Sequence, residues 1–212
     1  LNDTGAIDLG ASTVSGNLVI TASGAITDSG NLSIVGATTL AAGAANNITL
    51  DQAGNAFATV SVTSGNAVTL VDASALDLGA STVSGNLNVT VTTGDLTDSG
   101  ALTVAGSSAF AANGAGASII LDNAGNAFTG GVTFAGSGGL ANVTIVNATA
   151  FDLAALTLSG NLAVTANGAI TDSGALNVTG ATTLAAGAAN NITLDAANNF
   201  SVVSVISGNN VA

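Results

Sequence analysis

Twelve Asp residues are the only acidic side chains in this 212-residue chain, which has no Lys, Arg, His, Glu or Cys. Three pairs of them recur: Asp28 with Asp51, Asp98 with Asp122, and Asp172 with Asp195. Paired carboxylates can act as general acid and base in glycoside cleavage. With Asn and backbone carbonyl oxygens nearby they can also cage a hard cation such as calcium. The rest of the alphabet argues against both. A lyase acting on acidic sugars needs cations to stabilise a developing enolate, and none exists. No His is present to activate a Ser or Thr nucleophile. Active sites are rarely copied at every repeat, and the glycine-rich nonapeptide of calcium-loaded β-rolls is absent. The sequence therefore predicts no catalytic, cofactor-binding or metal-ligating residue. It places these Asp side chains on outward, solvated corners that keep the molecule soluble.

Three weaker candidates remain. Asn2, Asn31, Asn47, Asn88, Asn142, Asn147, Asn177, Asn191 and Asn199 each begin an Asn-X-Ser/Thr triplet, but an Asn-, Ser- and Thr-rich composition produces such triplets by chance. Thr38-Thr39 and Thr182-Thr183 could contribute to a flat ice-binding rank, although Thr does not recur at every turn. The middle of the chain departs most from the pattern, at Phe110, Phe128, Phe134 and the stretch Gly136-Ser137-Gly138-Gly139. A ligand site would show as such a departure, as would ordinary drift at a corner loop.

The elements that must position these residues are repeats. The string DLGASTVSGNL at 8–18 returns unchanged at 77–87, and GATTLAAGAANNITLD at 36–51 returns at 180–195. Aligned on these strings, the chain divides into units 1–69, 70–144 and 145–212 within one continuous segment. The middle unit is longer, with its extra residues at Thr92-Thr93-Gly94 and Ala135 to Gly139, both rich in turn-forming residues. Between the turns lie short runs with period-two apolar residues: 18–21, 32–35, 48–50, 60–62 and 68–71. Gly-Asn, Asp-Ser-Gly and Ala-Gly-Asn between them are turn chemistry, in which Gly and Asn accept positive φ. The Ala-rich run at 41–45 is cut off by Gly43 and Asn46-Asn47 before a helix can form.

About nine strands per unit, three to a turn of about 23 residues, make an all-β, right-handed parallel β-helix. Three units give about nine turns and a length of about 45 Å at the usual strand spacing. One stacking register puts Ile7, Ile26 and Ile48 in a column, with Asn and Thr ladders at the corners. The alternative of three tandem β-sandwich beads suits 70-residue units poorly, and the chain has no Trp or Tyr to mark one.

Composition narrows the partners. A net charge of -12 with no cation repels phosphate backbones and anionic lipid, which excludes nucleic acid and disfavours membrane surfaces. Gly, Ser, Thr, Asn and Asp interrupt every apolar run, and no aromatic girdle is available for a membrane barrel. Without Cys there are no disulfides. A 48% hydrophobic content argues against disorder. No signal peptide is visible, and a chain that begins in phase with its own repeat reads as an interior slice of something longer.

Strings such as SGNLVITASGAITDSGNLSIVG and ITLDQAGNAFATVSV resemble the repeats of giant filamentous-haemagglutinin-like bacterial exoproteins, and the resemblance covers the whole chain. It implies a β-helical stalk on or outside a bacterial cell. The amino-terminal secretion motifs of that family do not appear here. The expected role is a non-catalytic structural segment of an extracellular fibre or adhesin stalk, with itself as partner through head-to-tail stacking. The alternative is an adhesin module that binds glycans or cell surfaces. With no Lys or Arg, the chain gives trypsin nothing to cut.

Overall fold

The computed structural model describes the whole chain from Leu1 to Ala212 as 26 strands and no helix. The strands wind into a parallel β-solenoid of about ten turns. Alternation builds each strand: apolar residues at every second position point inward, and Thr, Ser, Asn or Asp point out. Leu32–Ala41 shows it, with Leu32, Ile34 and Leu40 buried. Inward side chains from all faces merge into one cluster of 47 residues, mostly Leu, Ile, Val and Ala.

The predicted column is present. Ile7 pairs with Ile26, Ile26 with Ile48, and the column continues through Val68, Leu87, Ser108 and Val132. Successive members lie 19 to 24 residues apart, so like stacks on like with few residues spent on corners.

Two expectations need correction. The first concerns the winding. Unit one contains eight strands, of which Leu32–Ala41 and Ala56–Ser64 each bend across a corner, marked by a register shift between Ile34 and Ala37. The unit therefore supplies ten strand segments rather than nine. With three segments to a turn, one unit makes three and a third turns, and three units make ten turns rather than nine.

The extra third rotates each unit onto the next face. Ile7 heads the column just described. Its counterpart Leu76 stands in a second column with Leu96, Ile119, Val143 and Leu162. The counterpart in unit three, Phe151, stands in a third with Ile170, Ile192 and Val211.

The second correction concerns the corners. No residue other than glycine adopts positive φ, and only Gly43, Gly94, Gly116, Gly139 and Gly187 do so. Asn serves the corners with its side chain. Asn17 Oδ1 accepts the Ala37 N–H at 2.9 Å, and Asn161 Oδ1 accepts that of Ala181 at 2.9 Å. Each such bond ties one coil to the next.

Candidate functional site

The repeated Asp pairs form an internal clamp. In unit one, Asn55 donates its Nδ2 to Asp28 Oδ2 at 2.6 Å, and the Asp51 N–H donates to Asp28 Oδ1 at 3.0 Å. Asn55 Oδ1 accepts the Leu32 N–H at 2.8 Å. In unit two, Asn126 donates to Asp98 at 2.6 Å, the N–H groups of Asp122 and Asn123 donate to the same carboxylate, and Leu102 N–H donates to Asn126. Unit three repeats the pattern with Asn198, Asp172, Asp195 and Leu176.

These bonds correct the corner reading. Asp51, Asp122 and Asp195 are exposed, but Asp28 and Asp98 are buried and Asp172 is half-buried. Asp51, Asp122 and Asp195 contribute backbone N–H groups to the clamps. The inward carboxylates accept from amides because a buried anion needs hydrogen-bond donors, and this chain has no cationic side chain to supply. Sequence reasoning missed the inward turn, although a signal existed. In Ile26-Thr27-Asp28 the Asp lies two residues after an inward Ile, and period two sends both the same way.

A second set of Asp residues faces out. Asp8 accepts Thr27 Oγ1 at 3.0 Å and Ser29 Oγ at 2.5 Å from the next coil. Asp77 accepts from Thr97 and Ser99, and Asp152 from Thr171 and Ser173. The tripeptide Asp-Ser-Gly at 98–100 thus divides its labour. Asp98 clamps the interior, Ser99 binds the outer Asp77, and Gly100 lies so close to the Ala80 backbone that a Cβ would overlap it.

A third buried carboxylate marks the unit boundary. Asp72 accepts the Phe57 N–H at 2.6 Å and the N–H and hydroxyl of Ser74. Burial raises its pKa from the ordinary 3.8, against the pull of those donors. Burial likewise raises that of Asp98, opposed by Asn126 and the N–H groups of Asp122 and Asn123 and aided slightly by the charge of Asp122. Unit three replaces Asp72 by Asn147, which accepts the Phe128 N–H at 2.8 Å and donates to the carbonyls of Phe128 and Ala150.

The middle-unit candidates separate. Phe110 and Phe128 are buried and meet edge to face at 5.7 Å, and Phe134 stacks on Phe110 at 6.2 Å. Phe110 and Phe128 belong to the core, and Phe134 packs against it half-buried, at the edge of an open hollow beside Gly136, Gly139 and Leu156. Ser137, Gly138 and Gly139 are exposed in a turn. Where Gly130-Gly131 interrupts the strand, an open hollow of about 260 Å³ lies beside Phe128, Phe151, Asp152 and Thr171. Its carboxylate is already engaged by Thr171 and Ser173, and both of its rings are buried.

Among the triplet Asn residues, Asn147 is buried, and Asn47, Asn142, Asn177 and Asn191 accept hydrogen bonds from the neighbouring coil. Thr38 and Thr182 point inward, fully buried, and form no outward rank.

A family model for repeats of unknown function, DUF5649, matches residues 1–64, 65–135 and 140–207. The chain belongs to this repeat family. The three matches agree in number with the units read from the recurring strings and differ in where each repeat is cut. No curated protein matches the chain, and no solved structure does. Within the DUF5649 repeats of this chain, the clamp is the inward polar constellation that every unit carries. Its chemistry is to hold one coil against the next.

Proposed function

We propose that this chain is a non-catalytic, load-bearing spacer segment of an extracellular bacterial fibre or adhesin stalk. The observation that carries the reading is the coil-to-coil ladder, reinforced in every unit by an Asp–Asn clamp on a different face. Tension or bending meets an equivalent reinforcement on each side within three units. Ten turns at about 4.8 Å give a rod of about 48 Å. Outward Asp residues with no cationic partner keep neighbouring rods apart through like charge. The haemagglutinin-like repeat style supports the extracellular setting.

The test is insertion of one, two or three copies between a surface anchor and a fluorescent tip on a bacterial cell. Tip height growing by about 48 Å per copy, with adhesion unchanged, is the expected result. Constant height, or adhesion that scales with copy number, would overturn the spacer reading. The second of these outcomes would favour an adhesin, whose remaining candidate surface is the exposed turn 137–139.

A further inference from the structure

At the junction of units one and two, neighbouring coils match in length. The Asn55 carbonyl accepts the Ala73 N–H at 2.7 Å, Gly65 pairs with Val83, and each coil runs ten residues between these two points. At the junction of units two and three the corresponding points are the Asn126 carbonyl with the Ala148 N–H at 2.8 Å, and Leu140 with Leu158. Between them the upper coil again runs ten residues, but the lower coil runs fourteen. Its extra residues fall within 129–139, a stretch that holds five glycines.

Fourteen residues cannot lie in register beneath ten, and the ladder lapses between the two fixed points. Val132–Ala135 pairs with Ser108–Ala112 below and with no strand above. Phe151–Leu153 pairs with Ile170–Asp172 above and with no strand below. In the matched junction the Gly79 N–H donates to the Val60 carbonyl at 2.9 Å, and the Val62 N–H to Ser81 Oγ at 3.0 Å. Ala154 and Val132, the counterparts of Gly79 and Val60, make no such bond. Leu156 stands where Ser81 supplies its hydroxyl. Two open hollows of about 260 and 250 Å³ line the resulting seam, one beside Gly131 and Phe151, the other beside Phe134 and Leu156. The remaining face is intact, with Val143–Asn147 paired to Leu162–Ala166 at all five positions.

We propose that this seam is a hinge. The rod opens between 129–139 and 150–157 and bends about the continuous face before the matched junction of units one and two parts. Opening the matched junction breaks ladder bonds, whereas opening the seam breaks none along its length. Strand edges that face each other without pairing are the places where a sheet gives way first. The glycines let the longer coil follow the movement, since their backbone adopts conformations closed to other residues. The intact face allows only one direction of bending, which is the behaviour of a hinge rather than of a loose joint. This flexing point belongs to the coils themselves and goes beyond the spacer reading, which can hold or fail without it.

The test combines distance measurement with amide exchange on the 212-residue chain, whose lack of Cys leaves every label site free to choose. Spin labels on Thr97→Cys and Thr183→Cys straddle the seam along the continuous face, four ladder steps or about 19 Å apart. Labels on Thr103→Cys and Thr193→Cys straddle it on the open side. The first pair is expected to give one narrow distance. The second is expected to show a tail reaching at least one strand spacing, about 4.8 Å, beyond its peak. Unchanged circular dichroism in both labelled chains excludes misfolding as the source of the tail. Hydrogen exchange needs no substitution: the Val132 and Phe134 amides should exchange about a hundredfold faster than those of Val60 and Val62. An open-side distance as narrow as that of the continuous face would overturn the proposal. Equal protection of the two sets of amides would overturn it as well.

Discussion

Asp77 and Asp98 are twenty-one residues apart in one unit, on strands that pair directly, and they live in different solvents. Asp77 follows an inward Leu by one residue and stands outside, accepting hydroxyls from Thr97 and Ser99. Asp98 follows an inward Leu by two residues and is buried, with only N–H groups for partners. One step of strand register separates a surface carboxylate that water can serve from one that the fold must serve alone. The chain makes the same contrast in each unit, at Asp8 and Asp28 and at Asp152 and Asp172.

The largest expected break in that contrast is Asp98→Ala. It strands the N–H groups of Asp122 and Asn123, and one N–H of the Asn126 amide whose Nδ2 also donates to the Leu121 carbonyl, in a partly dry interior, where each unpaired group costs about 1–3 kcal/mol. We expect a loss of about 3 kcal/mol in urea unfolding. Asn126→Ala should cost a similar amount, since it frees the Leu102 N–H and leaves Asp98 short of a donor. A loss under about 1 kcal/mol in either variant would mean that water enters and replaces the clamp.

Protonation tests the same interior from the other side. Burial raises the pKa of Asp72 and Asp98 above 3.8, so the folded state holds these protons more tightly than the unfolded chain. Their contribution to stability is greatest below the unfolded pKa and declines as pH rises through the folded value. With no basic side chain, acid also leaves no cationic repulsion to unfold the molecule. The melting temperature should therefore rise as pH falls from 7 towards 4, opposite to ordinary acid denaturation. Asp72→Asn copies the Asn147 arrangement of unit three. It should add about 1 kcal/mol at pH 7 and flatten the pH profile, as read by melting across that range. A melting temperature that falls with acid would refute this assignment.

A smaller effect belongs to three hydroxyls buried without partners, Thr38, Ser108 and Thr182. They occupy one position of the repeat, each stacked between a Leu and a Val: Leu18 and Val60, Leu87 and Val132, Leu162 and Val203. Thr182→Val keeps the shape and removes an unsatisfied group, and should stabilise by about 1 kcal/mol in the same urea assay. A loss instead would reveal a partner for the hydroxyl.

How much of this was legible depended on side-chain type. Ile7, Ile26 and Ile48 announce their column because β-branched residues at period two have few other uses. The segment at 37–41 carries Ala, Thr and one Leu, a composition that fits a strand, a turn or the start of a helix. The corner inside Leu32–Ala41, and with it the third of a turn that rotates each unit, therefore has no signal of its own in the sequence. Residue type puts Asp28, Asp98 and Asp172 outside, whereas alternation from Ile26, Leu96 and Ile170 puts them inside. Where type and period disagreed, period was right. A neighbouring coil can supply amide donors that no local sequence window contains.

The smallest expected effect lies outside, and it completes the contrast. Asp77→Ala removes two hydroxyl contacts, but Thr97 and Ser99 lie on an outer face where water can accept in place of the carboxylate. The change in urea stability should stay within about 0.5 kcal/mol, roughly a sixth of that for Asp98→Ala. A ratio near one would mean that the Thr and Ser contacts to the outer Asp also hold the coils together. The outer carboxylates would then be structural as well as repulsive. A ratio near six would confine the structural work to the interior and leave charge as the contribution of Asp77.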